Sequence, residues 1–355
     1  MNKTLDLYSD YLIVQNLHST ATGLSELVSG DLRHDHITRF LNRNNFTSKD
    51  LWLHVKEDVT KYSTDDGVII LDDSIQEKPY TDENDIVCWH YSHSKGTHVK
   101  GANLLSCLVN YKDVSLPIAY EVVHKDIAFS DIETKKTKRK ASISKNEHFR
   151  NLISQAKTNN VQYKYVLADN WFGAKENFEF INSLDKKFII GIKSNRTIAL
   201  SKADKKIGKF QKVQSLDMKD GESKNVFLKG LNFPVQLSKR VFTNEDGSTG
   251  ILYLVSNDTA QDSDTLYNIY KKRWNIEVYH KSIKQNASLS KSPTKRVVSQ
   301  LNHIFASIIG FCKLEILKIK TATNHFALKH KMILSANQAA MRELDILRGK
   351  NAISA

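Results

Sequence analysis

GVIILDDS, residues 67–74, decides the fold. Four apolar residues, three of them branched at Cβ, run straight into two carboxylates. A run this short, with no polar residue inside it, predicts a strand buried on both faces. Further on, NLLSCLVNY (103–111) and SLPIAYEVV (115–123) flank the turn-like KDV and predict a hairpin. A helix fits 143–160. The strand YVLAD (165–169), a helix over 174–184 and the strand KFIIGIKS (187–194) come next. The order strand, strand, strand, helix, strand, helix, strand predicts an α/β fold with a mixed sheet. The short links between the first three strands exclude an uninterrupted βαβ repeat.

Upstream of this block, LDLYSDYLIVQNL, TGLSELVSG, HDHITRFLNRN and SKDLWLHVKEDVTKY each repeat apolar residues at three- and four-residue spacing, so the first 60 or so residues read as short helices. Thr47 or Ser48 suits an N-cap, and Gly30 a helix end. Downstream, about 195–260 reads as all-β with turn signals at EDGSTG, an insertion into the α/β block. Helices over 262–286, 297–320 and 325–347 complete the chain. KKTKRKASISK (135–145) reads as a basic loop, and WHYSHSKGTHVKG (89–101) as a polar loop before a strand. The expected organisation is a helical region over 1–63, an α/β domain over 64–290 with its β-rich insertion at about 195–260, and a helical region over 291–355.

Composition narrows the partner. The chain has 355 residues, 52 Lys and Arg against 39 Asp and Glu, and a formal charge of +13. Such an excess favours a polyanion, because each neutralised phosphate releases counterions. Three cysteines, far apart and with no C-x-x-C pair, offer neither a disulfide framework nor a thiolate zinc site. His90, His93 and His98 fit no standard zinc spacing. The N-terminus lacks a signal-peptide pattern and no apolar run suggests a membrane span, so a soluble, cytoplasmic protein is expected.

The chemistry centres on DSDTLYNIYKKRWNIEVYHKSIKQ (262–285), which Asp262 or Ser263 can cap. At roughly 100° per residue, Tyr270, Arg273, Glu277 and Lys284 fall within about 60° of one another. Ile269, Ile276 and Ile283 mark a neighbouring buried stripe. One edge of the helix thus offers a carboxylate for a metal and a phenol, a guanidinium and an ammonium for phosphate oxygens. Taken alone, a Glu among cations on a helix is more often a surface ion pair.

The spacing of Tyr270, Arg273, Glu277 and Lys284 resembles the Y-R-E-K signature of the insertion-sequence-four-like DDE transposases. The resemblance extends over about residues 65–320. It implies a ribonuclease H-like sheet with a β-rich insertion between the second and third acidic residues. It also implies catalytic, metal-holding carboxylates at Asp73, Asp169 and Glu277. Asp73 is preferred to Asp72 because Ser74 comes after it, as Thr or Ser commonly does in the family. A slip of one residue would turn the side chain to the other face of the sheet. The resemblance further implies cleavage at transposon ends with two Mg²⁺ or Mn²⁺, then attack of the freed 3′-OH on target DNA. A hairpin at the transposon end and a homodimer on double-stranded DNA, its terminal inverted repeats and target, belong to the same expectation, as does a place at the bacterial nucleoid.

Several residues stay open. Trp274 could stack on an unpaired base, although core packing is the commoner use of tryptophan. His93 or Lys100 could reach DNA, Asn170 could orient Asp169, and Arg33, Arg39 and Arg43 could line a recognition helix or a merely charged face. A ribonuclease H-like nuclease that cuts without joining would share the acidic residues but leave the Y-R-E-K helix unexplained. A DNA-binding relative without activity would be expected to lack a carboxylate. A small-substrate phosphatase would not explain the charge.

Overall fold

The computed structural model describes residues 2–92, 95–133, 135 and 137–349. Four helices open the chain: α1 (Lys3–Val14), α2 (Ala21–Leu27), α3 (His34–Arg43) and α4 (Ser48–Tyr62). Thr47 precedes α4, and its N–H and hydroxyl both donate to the Asp50 carboxylate at 2.8 and 2.7 Å, which fixes the helix start. Gly30, at φ +84°, lies just past α2 and donates its N–H to the Ser25 carbonyl, as expected of a helix end.

Next come β1 (Val68–Glu77), β2 (Val87–Ser92), β3 (Thr97–Tyr111) and β4 (Val114–Val122), then a small hairpin of β5 (Ile127–Ser130) and β6 (Thr137–Lys140). The helix α5 (Lys145–Thr158), β7 (Tyr165–Ala168), α6 (Lys175–Ser183) and β8 (Lys187–Ile192) form as expected. The inserted stretch holds β9 (Thr197–Ala199), α7 (Lys202–Lys206), β10 (Gln211–Lys212), β11 (Ser223–Leu228), β12 (Val235–Thr243) and β13 (Thr249–Ser256). The chain then forms α8 (Ser263–Tyr270), a 3-10 turn over Lys271–Arg273, α9 (Trp274–Gln285), α10 (Val297–Thr321) and α11 (His325–Leu347).

Five expectations change. β1 continues past the acidic pair to Glu77 instead of ending there. The polar stretch 89–101 is largely a hairpin, because β2 pairs with the exposed start of β3 and the sheet satisfies its backbone whatever its side chains. His93 lies outside the described residues. The basic stretch 135–145 contributes β6, paired with β5. The inserted stretch includes the short helix α7, and the helix over 262–286 is tightened by a 3-10 turn at its centre.

Two compact units result. One comprises residues 55–79 and 83–277. Among its described residues an 11-stranded sheet runs β10-β9-β11-β12-β13-β8-β7-β1-β3-β2, with β4 also paired to β3. β1 is antiparallel to β3 and parallel to β7, and β7 is parallel to β8. This mixed sheet with flanking helices is consistent with a ribonuclease H-like nuclease fold. The insertion does not stand apart: β13 pairs antiparallel with β8 and extends the same sheet. The central strands are apolar on both faces, as Val68, Ile69, Ile70, Leu71, Val166 and Leu167 are all buried.

At Gly101, β3 lies so close to β1 that an added Cβ would be inside contact distance of the Gln76 carbonyl and 2.9 Å from Glu77 Cα. Both neighbours are backbone and cannot rotate away. Gly101→Ala is therefore expected to destabilise the protein by about 1–3 kcal/mol. A thermal melt should show a midpoint lowered by several degrees, and an unchanged midpoint would mean that the strands separate freely there.

The other unit takes in the helical ends, residues up to 54 and from 278, together with 80–82. Within it α10 packs on α1 and α3. The two ends, read separately in the sequence, thus form one body. Ile13, Leu314 and Leu328 are buried together, with Leu317 and Met332 against them. The Asn302 amide of α10 donates to the carbonyls of Leu41 and Asn44 at 2.8 and 2.7 Å, supplying donors at the C-terminal end of α3. Tyr8 of α1 meets His303 Nδ1 at 2.9 Å. By length and composition α10 could cross a membrane, but 78% of its apolar window is buried inside the protein.

Candidate active site

β1 and β7 run parallel with Ile70 beside Leu167. Two residues further, the same register sets Asp72 beside Asp169, with both side chains in phase on the pleat. α9 supplies Glu277. A carboxylate oxygen of Glu277 lies within 4.8 Å of one of Asp72. Arg273 stands between them, with Nη1 at 3.4 Å from Glu277 Oε1 and 3.7 Å from Asp72 Oδ2. Its guanidinium also sits 5.9 Å from the ring of Tyr270, which is buried.

The sequence favours Asp73 over Asp72, and the structure separates the two. Asp73 points away from Glu277. Its Oδ2 accepts from Lys145 Nζ at 2.8 Å and from the fully buried Asn103 amide. Adjacent strand residues face opposite ways, so only one lies against the Glu277 carboxylate, while the charge of Asp73 still acts on Asp72 and Asp169. The strand motif alone cannot tell which, because that depends on the face over which α9 lies.

Crowding of carboxylates leaves an electrostatic mark. Burial, then the charges of Asp169, Asp73 and Glu277, push the Asp72 carboxyl up to about 8. Burial also raises Asp169, although the Trp171 N–H donates to its Oδ1 at 2.9 Å and Arg273 opposes the shift. Burial pushes the Tyr270 hydroxyl up to about 12. Arg273 is held above its usual value: burial works against its charge, but Tyr270, Asp72 and Glu277 outweigh it. One guanidinium does not compensate three carboxylates, and a hard divalent cation would. The donor set, all oxygen, fits such an ion.

His280 lies one turn beyond Glu277 along α9. It is missing from the residues expected from sequence, although Glu-x-x-His is a spacing that puts both groups on one helix face. Lys284 lies two turns beyond Glu277 on the same helix. Trp274 is 65% exposed and does not take the core packing more common for tryptophan. Asn170 opens the 3-10 turn after Asp169, with its backbone close enough to Gly191 that an added Cβ there would lie 3.1 Å from the Asn170 nitrogen.

On the Asp73 side, Lys145 Nζ lies 4.8 Å over the Trp171 ring, while Phe172 stacks on Phe149 of α5 at 4.8 Å. The start of α5 thereby holds the Asp169 turn at two points. His90 of β2 is buried nearby. Burial, then the charges of Lys125 and Lys145, pushes its imidazole down from 6.5 to about 4. The unfolded chain therefore takes a proton in this window that the folded chain refuses. Stability should fall as pH drops from about 6.5 to about 4 and flatten below that. In urea titrations at stepped pH, His90→Gln should lose this part of the slope. An identical slope in both proteins would place the acid sensitivity elsewhere.

Compared with known families, residues 2–206 match the DDE superfamily endonucleases and residues 132–310 match the transposase DDE domain. The first span contains Asp72, Asp73 and Asp169, and the second contains Asp169 and Glu277. No curated protein matches the chain.

Proposed function

Because the chain belongs to the DDE transposases, a superfamily of endonucleases, we propose that it cuts DNA at the ends of a transposon and joins the freed 3′-OH to target DNA. The observation that carries this reading is the convergence of Asp72, Asp169 and Glu277 from three separate elements around one arginine. Asp72 takes the place that the family pattern suggested for Asp73. These carboxylates would hold two Mg²⁺ or Mn²⁺ ions. Bound there, the ions would activate the attacking oxygen and stabilise the leaving one in an in-line displacement.

The remaining residues bind and orient. Arg273 offsets part of the carboxylate charge and keeps donors for a phosphate oxygen. Tyr270 is buried, which suits a supporting ring beneath Arg273 better than a direct phosphate contact. Lys284 is retained as a contact to terminal phosphates and exposed Trp274 as a platform for an unpaired base. The spacing of Tyr270, Arg273, Glu277 and Lys284 supports the insertion-sequence-four-like branch. A homodimer holding two terminal inverted repeats, with a hairpin intermediate, is part of that assignment.

The test is a plasmid carrying the DNA that flanks the gene, incubated with the protein and Mg²⁺ or Mn²⁺, with Glu277→Gln alongside. Nicks at the repeat ends and joined products, both lost in the variant, are expected. Nicks without joining would replace this reading with a nuclease. Binding without cleavage, equal in both proteins, would replace it with an inactive DNA-binding relative.

A further inference from the structure

A second feature lies in the same unit as the acidic cluster, at the far end of β3. Ser106 pairs with Asp72, whereas Gly101 pairs with Cys88 of β2. Five residues along a strand correspond to roughly 17 Å. There the β2–β3 and β5–β6 hairpins enclose a pocket of about 620 Å³, within the roughly 300–1,000 Å³ range of small-ligand sites.

Its lining combines flat rings with fixed cations. Trp89 is 52% exposed and Phe129 39% exposed, an unusual state for residues that gain from burial. Lys125 Nζ donates to the Trp89 carbonyl at 2.6 Å, and Arg139 is held by Asp85 at 2.9 Å. Each keeps further donors unspent. Lys140 Nζ lies 5.8 Å from the Phe129 ring. Glu83 adds one acceptor, suited to an exocyclic amine. A ligand that satisfies all of these carries an anion, a planar ring and an amine.

We propose that this pocket binds an unpaired nucleotide of the DNA strand, with the base against Trp89 and the phosphate on Lys140 and Arg139. The proposal rests on the reading of the protein as acting on DNA. At about 3.4 Å per nucleotide, a strand leaving the acidic cluster arrives here after on the order of five nucleotides. Every base has a face to stack, so occupancy requires unpairing more than a particular sequence.

The experiment uses duplexes made from the DNA flanking the gene, each with one mismatch placed about three to eight nucleotides from the end. Glu277→Gln protein keeps binding separate from cleavage. A mismatch at the correct position lowers the cost of unpairing, so it should tighten binding about tenfold over the paired duplex. Adding Trp89→Ala, or separately Lys140→Gln, should remove that preference. Both side chains are exposed, so neither change threatens the fold. A preference that survives Trp89→Ala, or the absence of any preference, overturns the pocket and leaves the proposed function standing. Failure to bind any of the duplexes overturns both.

Discussion

Asp72→Asn should abolish metal-dependent cleavage, by about 10³-fold or more, whereas Asp73→Asn should leave it readily measurable. The asymmetry comes from the partners of each carboxylate. Asp72 lies with Glu277 and Asp169 and carries their combined repulsion. Replacing it by a neutral amide removes a ligand from ions expected to supply several kcal/mol to the transition state, and each 1.36 kcal/mol is about a factor of ten in rate. Asp73 instead holds Lys145 at 2.8 Å, and Lys145 lies over Trp171, whose N–H in turn meets Asp169. Its loss acts on the cluster through that chain of contacts and through the charge it removes from beside Asp72 and Asp169. Outer partners of a metal site typically cost about 10–100-fold when removed, and the lower end is expected because Trp171 still restrains Lys145. Single-turnover cleavage rates at saturating Mg²⁺ distinguish the two. If Asp73→Asn is the inactive protein and Asp72→Asn the active one, the geometry has been misjudged and the family pattern was the better guide.

The largest effect on stability is expected far from this chemistry, at Glu315 of α10. Glu315 is 2% exposed. Its Oε2 lies 2.9 Å from His325 Nε2 and its Oε1 2.6 Å from Lys318 Nζ. His325 Nδ1 continues the chain to Ser282 Oγ at 2.8 Å, and its ring packs edge-on against Phe311. Glu315→Ala removes the carboxylate beside a buried imidazole and the acceptor of Lys318, and leaves a void. Breaking a buried pair from one side costs about 3–5 kcal/mol, which is a large part of a typical domain's total of about 5–15 kcal/mol. Urea unfolding monitored by circular dichroism measures the loss. Replacing both partners, as in Glu315→Leu with His325→Phe, should recover part of it, because the buried carboxylate and imidazole go together, while Lys318 loses its acceptor and the Ser282 hydroxyl keeps only the Asn286 amide. A loss below about 1 kcal/mol in the single variant would mean that water reaches the site.

Much of this architecture is legible in the sequence. The apolar run before Asp72, the hairpin around Lys112, the helix after Ser144 and the Glu277 helix each rest on local periodicity or a local cap, and each forms. The parts that escape depend on distant partners. β2 is polar enough to read as loop, and it is a strand because the start of β3 offers it hydrogen bonds. Trp274 looks like a core residue by type, but it points away from the buried stripe of Ile276 and Ile283. The choice between Asp72 and Asp73 is a matter of which face of one strand the rest of the unit covers. No residue within a few positions of them carries that information.

The pairing of α1 with α10 also has a consequence in time. A ribosome delivers the chain from its N-terminus, at about 5–20 residues per second. α1 begins at Lys3 and α10 at Val297, so at that pace α1 waits roughly 15–60 seconds for its partner. Asp72 and Asp169 are likewise translated well before Glu277. Before that point a nascent chain has two of its acids and half of its helical body. Glu277 and α10 follow later, so on the proposed reading a fragment released before them is expected to cut DNA poorly.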